Sequence, residues 1–99
     1  MFGLLTNPDQ LKLVRAGEVT WEDAIEESLR LEPAAAVIDR YATRDTELAG
    51  AAILERELVV ISIAGANRDP SVFPDPDRFD VHRDNAKLHA AFAHGPHVC

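Results

Sequence analysis

A chain of 99 residues, 46% hydrophobic and 27% charged, has the length and composition of one soluble globular domain at most. Its formal net charge of −7, from 17 acidic against 10 basic residues, is the opposite of the basic footprint that nucleic acids and anionic membrane surfaces require. The one cysteine, Cys99, excludes an intrachain disulfide framework. No apolar run approaches the roughly 20 residues that span a bilayer, and the N-terminus lacks the basic start of a signal peptide, so the chain reads as cytoplasmic, with no membrane and no nucleic-acid partner.

Asn7-Pro8-Asp9 predicts the first helix start, with Asn7 as N-cap and proline at the first helical position; Gly17 is its stop. Thr20 caps a second predicted helix, assisted by Asp23, and Pro33 ends it. Trp21, Ala24, Ile25, Ser28 and Leu29 share one face of that helix at helical spacing and are its candidate core side. Beyond Pro33, Val37, Ile38 and Tyr41 predict an extended segment. Leu48-Ala49-Gly50 predicts a turn, and Ala51 to Leu54 a short strand. Leu58 to Ile63 is strand by propensity. Asn67-Arg68-Asp69-Pro70 is a turn or helix end. Pro70, Pro74 and Pro76 then exclude regular structure from the segment up to Asp80. Asn85 to Phe92 is partly helical in expectation.

Four groups of residues could carry chemistry. Phe92-Ala93-His94-Gly95-Pro96-His97-Val98-Cys99 places a glycine and a histidine before a cysteine. A thiolate is a strong metal ligand, and a glycine lets backbone approach a flat macrocycle. The plain alternatives are a small buried structural cysteine, or a His94, His97, Cys99 metal clip completed by His89 or His82. Glu27 and Arg30 stand three apart on the second helix and can pair. By the helix's apolar face alone they are solvated, and Glu26–Arg30 is an equally good pair. Pro76-Asp77-Arg78-Phe79 is a surface loop with an apolar anchor unless it meets a partner. Arg40, among β-formers, can hold a carboxylate or stay exposed.

Taken in order, Glu-x-x-Arg, Arg40, Asn-Arg-Asp-Pro, Pro-x-Arg-Phe and Phe-x-x-Gly-x-His-x-Cys resemble the C-terminal part of a cytochrome P-450, most like the soluble bacterial members. The resemblance covers nearly the whole chain. It implies a mainly α fold with a small β-sheet portion: a Glu-x-x-Arg helix, short strands, a proline-rich meander and a cysteine-ligand loop. It also implies that residues 1–99 form a single partial domain, from the end of the oxygen-binding helix region through the ligand loop. Cys99 becomes the axial ligand of a haem b iron. Arg40 and His97 pair with the haem propionates, and Phe92 packs beside the haem. Glu27, Arg30 and Arg78 form a buried structural network, and Tyr41 and its neighbours line the substrate pocket. A helix starts within Val60 to Asn67, where propensity reads strand.

The family's activity is that of a monooxygenase, acting on a small organic substrate with O2 and a ferredoxin and ferredoxin-reductase type of redox partner. The proton-delivery residues of that reaction match nothing in this chain, so no catalytic residue is assigned and the isolated 99 residues are expected to be inactive. The alternative is a non-enzymatic haem or metal-binding module built on His94, His97 and Cys99. Two departures from the family pattern stand out: Glu55-Arg56-Glu57 where the family has a glycine turn, and Ala34-Ala35-Ala36 where it has bulkier residues.

Overall fold

The computed structural model describes every residue except Met1 and His97. Three helices open the chain: α1 (Phe2–Thr6), α2 (Pro8–Arg15) and α3 (Trp21–Leu31). Pro8 sits at the start of α2, where its missing N–H is no loss, and Gly17 takes φ +78 just beyond its end. Thr20 caps α3: its hydroxyl accepts from the Asp23 amide at 3.1 Å and donates to the Asp23 carboxylate at 2.6 Å. At the other end of α3, the Leu31 carbonyl accepts from the Arg68 guanidinium at 2.8 Å.

Four short strands follow: β1 (Val37–Tyr41), β2 (Thr46–Leu48), β3 (Ala51–Ile53) and β4 (Leu58–Ser62). β1 pairs with β4 antiparallel, Val37 opposite Ser62 and Tyr41 opposite Leu58. Between them β2 and β3 form a hairpin across Ala49 and Gly50, both at positive φ (52° and 83°) as a two-residue turn demands. Helix α4 (Ile63–Ala66) begins where β4 ends. Propensity and family likeness are thus each right over part of Val60 to Asn67. The β-branched run stays extended through Ser62, and there the Ser62 hydroxyl accepts from the Gly65 amide at 3.0 Å and starts a helical turn. From Asp69 to Asp84 the chain is a meander of turns, and a 3₁₀ turn (Ala86–Leu88) leads to the C-terminal loop.

The core lies between the helices and the meander. Leu4, Val14, Val19, Ala24, Phe79 and Val81 are buried together, with Leu11, Leu13 and Leu31 packed against them. Phe73 and Phe79 anchor the proline-rich segment and are 2% and 6% exposed. By contrast, β1 and β4 leave Val37, Tyr41, Leu58, Val60 and Ile61 in solvent. The sheets extend the molecule to 54 × 24 × 21 Å.

One sequence expectation is overturned here. On the expected core side of α3, Ala24 and Ser28 are buried and Leu29 is partly buried, but Trp21 and Ile25 are about half exposed, and Glu27 and Arg30, solvated by the apolar pattern, are buried beside them. The meander covers Glu27 and Arg30, and its own backbone bonds to them.

Two substitutions test the local reading. A β-carbon at Gly3 would lie 2.7 Å from the Phe79 ring, so Gly3→Ala is expected to cost about 1–3 kcal/mol, measured by urea unfolding. Arg56, in the turn where the glycine is missing, adopts φ +69. Relieving that left-handed conformation with Arg56→Gly should raise stability by up to about 1 kcal/mol in the same assay.

Candidate functional site

Glu27 and Arg30 are both 0% exposed and meet through two parallel bonds, Arg30 Nε to Oε2 at 2.7 Å and Nη2 to Oε1 at 2.9 Å. Their spacing on α3 permits the fork. Arg30 then spends its remaining donors on carbonyls of the meander side: Nη1 on Asn67 O and Pro76 O, both at 2.8 Å, and Nη2 on Arg78 O at 3.2 Å. All five N–H groups of the guanidinium are therefore bonded. Its face lies 5.2 Å from the centroid of Phe73, a cation–π contact. Glu27 Oε1 also accepts from the Asp80 amide at 3.0 Å and from Arg83 Nε at 3.1 Å.

Arg83, not Arg78, is the second arginine on Glu27. The side chain of Arg83 is 7% exposed, and it donates to the carbonyls of Pro74 (2.7 Å), Asp75 (3.1 Å) and Arg78 (3.2 Å). Arg78 is exposed and enters the network through its carbonyl alone. Turning of the meander backbone points that carbonyl inward and the guanidinium outward. The Pro-x-Arg-Phe motif drew the sequence reading to Arg78. The available signal for Arg83 was its place after the two buried positions Phe79 and Val81, a register only the folded meander reveals.

Asn67 connects this network to the cysteine loop. Its carbonyl accepts from Arg30, and its side-chain Oδ1 accepts from the Ala90 amide at 2.7 Å. Its Nδ2 is buried with no partner among the described residues. His89, also buried, contacts Glu26 of α3: Nε2 lies 2.9 Å from Oε2. The loop after it is held by backbone bonds, Ala93 N–H to Ala90 O at 2.9 Å, Val98 N–H to Gly95 O at 3.1 Å and Cys99 N–H to Phe92 O at 3.0 Å. The sequence gives no site role to Asn67 or Glu26 here and offers His89 only as a zinc ligand, because each works through contacts to distant segments.

The loop presents its chemistry outward. Cys99 is a free, exposed thiol. Phe92 is partly exposed, with its ring set edge-on to His89 at 5.8 Å. Gly95 takes φ +92 in open space, so backbone conformation and not crowding calls for glycine there. His94 is exposed, and His97 lies outside the described residues. Arg40 is exposed on β1 and donates to its own neighbour's carbonyl, Asp39 O, at 2.8 Å. Tyr41 is exposed at the end of the same strand. Of the two additional histidines weighed as zinc ligands, His89 has both ring nitrogens engaged, since Nδ1 accepts from the Ala91 amide at 3.1 Å. His82 is exposed, and among the described residues no group of three or more His, Cys, Asp or Glu side chains is placed to hold a metal ion.

A helix bearing a buried Glu-x-x-Arg pair, a meander folded onto it and a loop ending on an exposed cysteine stand together in this chain. The sequence matches the family model "Cytochrome P450" over residues 21–99, and the chain belongs to that family. It is 48% identical over 96 residues to a cytochrome P450 140 of Mycobacterium tuberculosis, covering 97% of this chain and 22% of that protein. It is 44% identical, also over 96 residues, to 6-deoxyerythronolide B hydroxylase of Saccharopolyspora erythraea, of which it covers 24%. Among solved structures, CYP154A1 from Streptomyces coelicolor superposes with a TM-score of 0.87 at 49% identity, over 99% of this chain and 25% of that one. The chain thus spans about a quarter of the length of the relatives it matches. Its fold is mixed: helices with small antiparallel sheets, in the arrangement of part of a P450. Among the described residues no helix is long and apolar enough to cross a membrane.

The network predicts unequal costs for its two arginines. Arg83→Ala leaves a buried carboxylate short of a partner and should lower unfolding stability by about 3 kcal/mol. Arg78→Ala removes only exposed atoms and should change it by less than about 0.5 kcal/mol. Denaturant melts of the two variants decide between them.

Proposed function

We propose that this chain carries the ligand loop and cofactor-anchoring residues of a haem-thiolate monooxygenase, with Cys99 as the axial ligand of a haem b iron. The observation that carries the reading is the Cys99 thiol itself: free, exposed, and set at the end of a loop closed on itself by the Cys99 N–H to Phe92 O bond. The donor set fits the cofactor chemically. A thiolate is the soft anionic ligand that ferric haem accepts, and the exposed guanidinium of Arg40 suits a propionate carboxylate. Phe92 offers an apolar ring beside the loop. His97 is assigned the second propionate by family likeness.

When bound, such a haem supplies O2 activation and the insertion of one oxygen atom into a C–H bond, favoured by electron donation from the thiolate. The residues of this chain hold and orient. Cys99 supplies charge, Arg40 and His97 neutralise carboxylates, Phe92 packs beside the cofactor, and Glu27, Arg30 and Arg83 fix the meander that the loop continues. No residue of the chain is assigned a proton-transfer role, and the 99 residues alone are expected to turn over no substrate. In the complete enzyme the partners are a small organic substrate, O2 and a redox partner of the ferredoxin and ferredoxin-reductase type, in the cytoplasm. Residues 1–99 act there as one partial domain, from the end of the oxygen-binding helix region to the ligand loop.

The ferrous carbon-monoxide spectrum of the haem-loaded complete protein is the test. A thiolate-type band that Cys99→Ser abolishes is the expected result. A histidine-type band unaffected by that substitution would overturn the assignment and favour the haem or metal module on His94 and His97.

A further inference from the structure

His89 is a buried titratable side chain that the charged network does not use. At 7% exposure it sits just after the 3₁₀ turn, at the start of the loop that ends on Cys99. Both ring nitrogens are spoken for. Nδ1 accepts from the Ala91 amide at 3.1 Å, so its lone pair is engaged and the ring proton resides on Nε2. Nε2 then donates to Glu26 Oε2 at 2.9 Å. The imidazole is thereby fixed in tautomer and in rotation, and its ring meets Phe92 at 5.8 Å with an interplanar angle of 61°. The carbonyl of Phe92 is the acceptor for the Cys99 amide at 3.0 Å. A continuous path runs from a carboxylate on α3, through the imidazole, to the residue that closes the cysteine loop.

Mere packing does not explain this choice of side chain. An apolar ring would fill the same space without the cost of burying two polar nitrogens. The imidazole adds direction: one end bound to a helix, the other to the loop's own backbone. Glu26 and Glu27 are neighbours on α3 with divided tasks, since Glu27 binds the meander arginines while Glu26, which takes no part in that network, receives His89. The Ala90 amide, between His89 and Ala91, is pinned separately by Asn67 Oδ1. Three consecutive residues of the loop's base are therefore fixed from three directions.

Resting on the haem-thiolate reading above, we propose that the Glu26–His89 pair is a positioning device for Cys99, setting where the loop presents its sulfur. It acts as the outer partners of metal ligands act, through orientation and not through contact with the metal. Neither residue is catalytic.

The complete haem-loaded protein tests this with three variants. Glu26→Gln keeps a carbonyl acceptor for Nε2, Glu26→Ala removes it, and His89→Phe keeps the ring and removes both nitrogens. Two readouts are taken where circular dichroism shows native helix content: the thiolate-type share of the ferrous carbon-monoxide complex, and amide hydrogen exchange at Ala91 and Cys99. Glu26→Ala and His89→Phe should lower the thiolate share several-fold and speed Cys99 exchange about tenfold, with Glu26→Gln close to wild type. Wild-type values of both readouts in Glu26→Ala overturn the proposal. So does a Glu26→Gln variant as impaired as Glu26→Ala, because the pair would then act by charge and not by placement. Should His89→Phe not fold, the two Glu26 variants decide alone. A wild-type protein without a thiolate band sinks the haem-thiolate reading instead, and the exchange rates still report on positioning.

Discussion

A buried carboxylate held by two guanidiniums is the constraint on which the rest of this chain depends. Glu27 and Arg30 are wholly buried, and removing such ions from water carries a penalty of several kcal/mol each even after relaxation. The penalty is tolerable only if every lone pair and proton finds a partner. Here the partners are mostly backbone: the carbonyls of Asn67, Pro74, Asp75, Pro76 and Arg78, and the amide of Asp80. A segment with three prolines cannot bond its carbonyls within a helix or sheet. Arginine donors are the substitute for secondary structure. The meander takes a path that aims those carbonyls at two guanidiniums.

The same arrangement explains why α3 buries Glu27 and Arg30. Ala24 and Ser28 are buried with Glu27 and Arg30, while Trp21 and Ile25 stay about half exposed. The meander docks where the donors are. From there the order passes outward. Asn67 shares its carbonyl with Arg30 and its side-chain oxygen with Ala90. His89 returns to α3 at Glu26. The loop bearing Cys99 is thus referred back to one helix through two routes, although Cys99 itself lies in solvent.

What the sequence disclosed follows from the range of the forces involved. Caps and breakers act within four residues, and Thr20, Pro8, Gly17 and Pro33 marked the ends of α2 and α3 from the sequence alone. The pattern of short motifs carried the family, and with it the fold class. The burial of Glu27 and Arg30 beside Ala24 and Ser28 was beyond reach of periodicity, since a hydrophobic pattern counts an arginine as solvated wherever it stands. Its partners lie 37 to 48 residues away in sequence. Arg83 was missed for a related reason: motif and network overlap in space, but which arginine turns inward is decided by backbone turns such as that at Asp75, where φ is +46. At Val60 to Asn67 the local signals were in conflict only because two elements meet there, and the Ser62 cap divides them.

The network also cannot be replaced piece by piece. An apolar cluster of equal volume is often as stabilising as a buried ion group, but this one neutralises polar atoms that no side-chain substitution removes. Taking away Arg30 alone would orphan the Asn67 and Pro76 carbonyls and leave Glu27 with only Arg83 as counter-charge. Each inward carbonyl belongs to the main chain, so relief would require a different meander. A different meander would move Asn67 and the base of the cysteine loop with it. The base of the cysteine loop is in this sense tied to α3, through Arg30 by way of Asn67 and through Glu26 by way of His89.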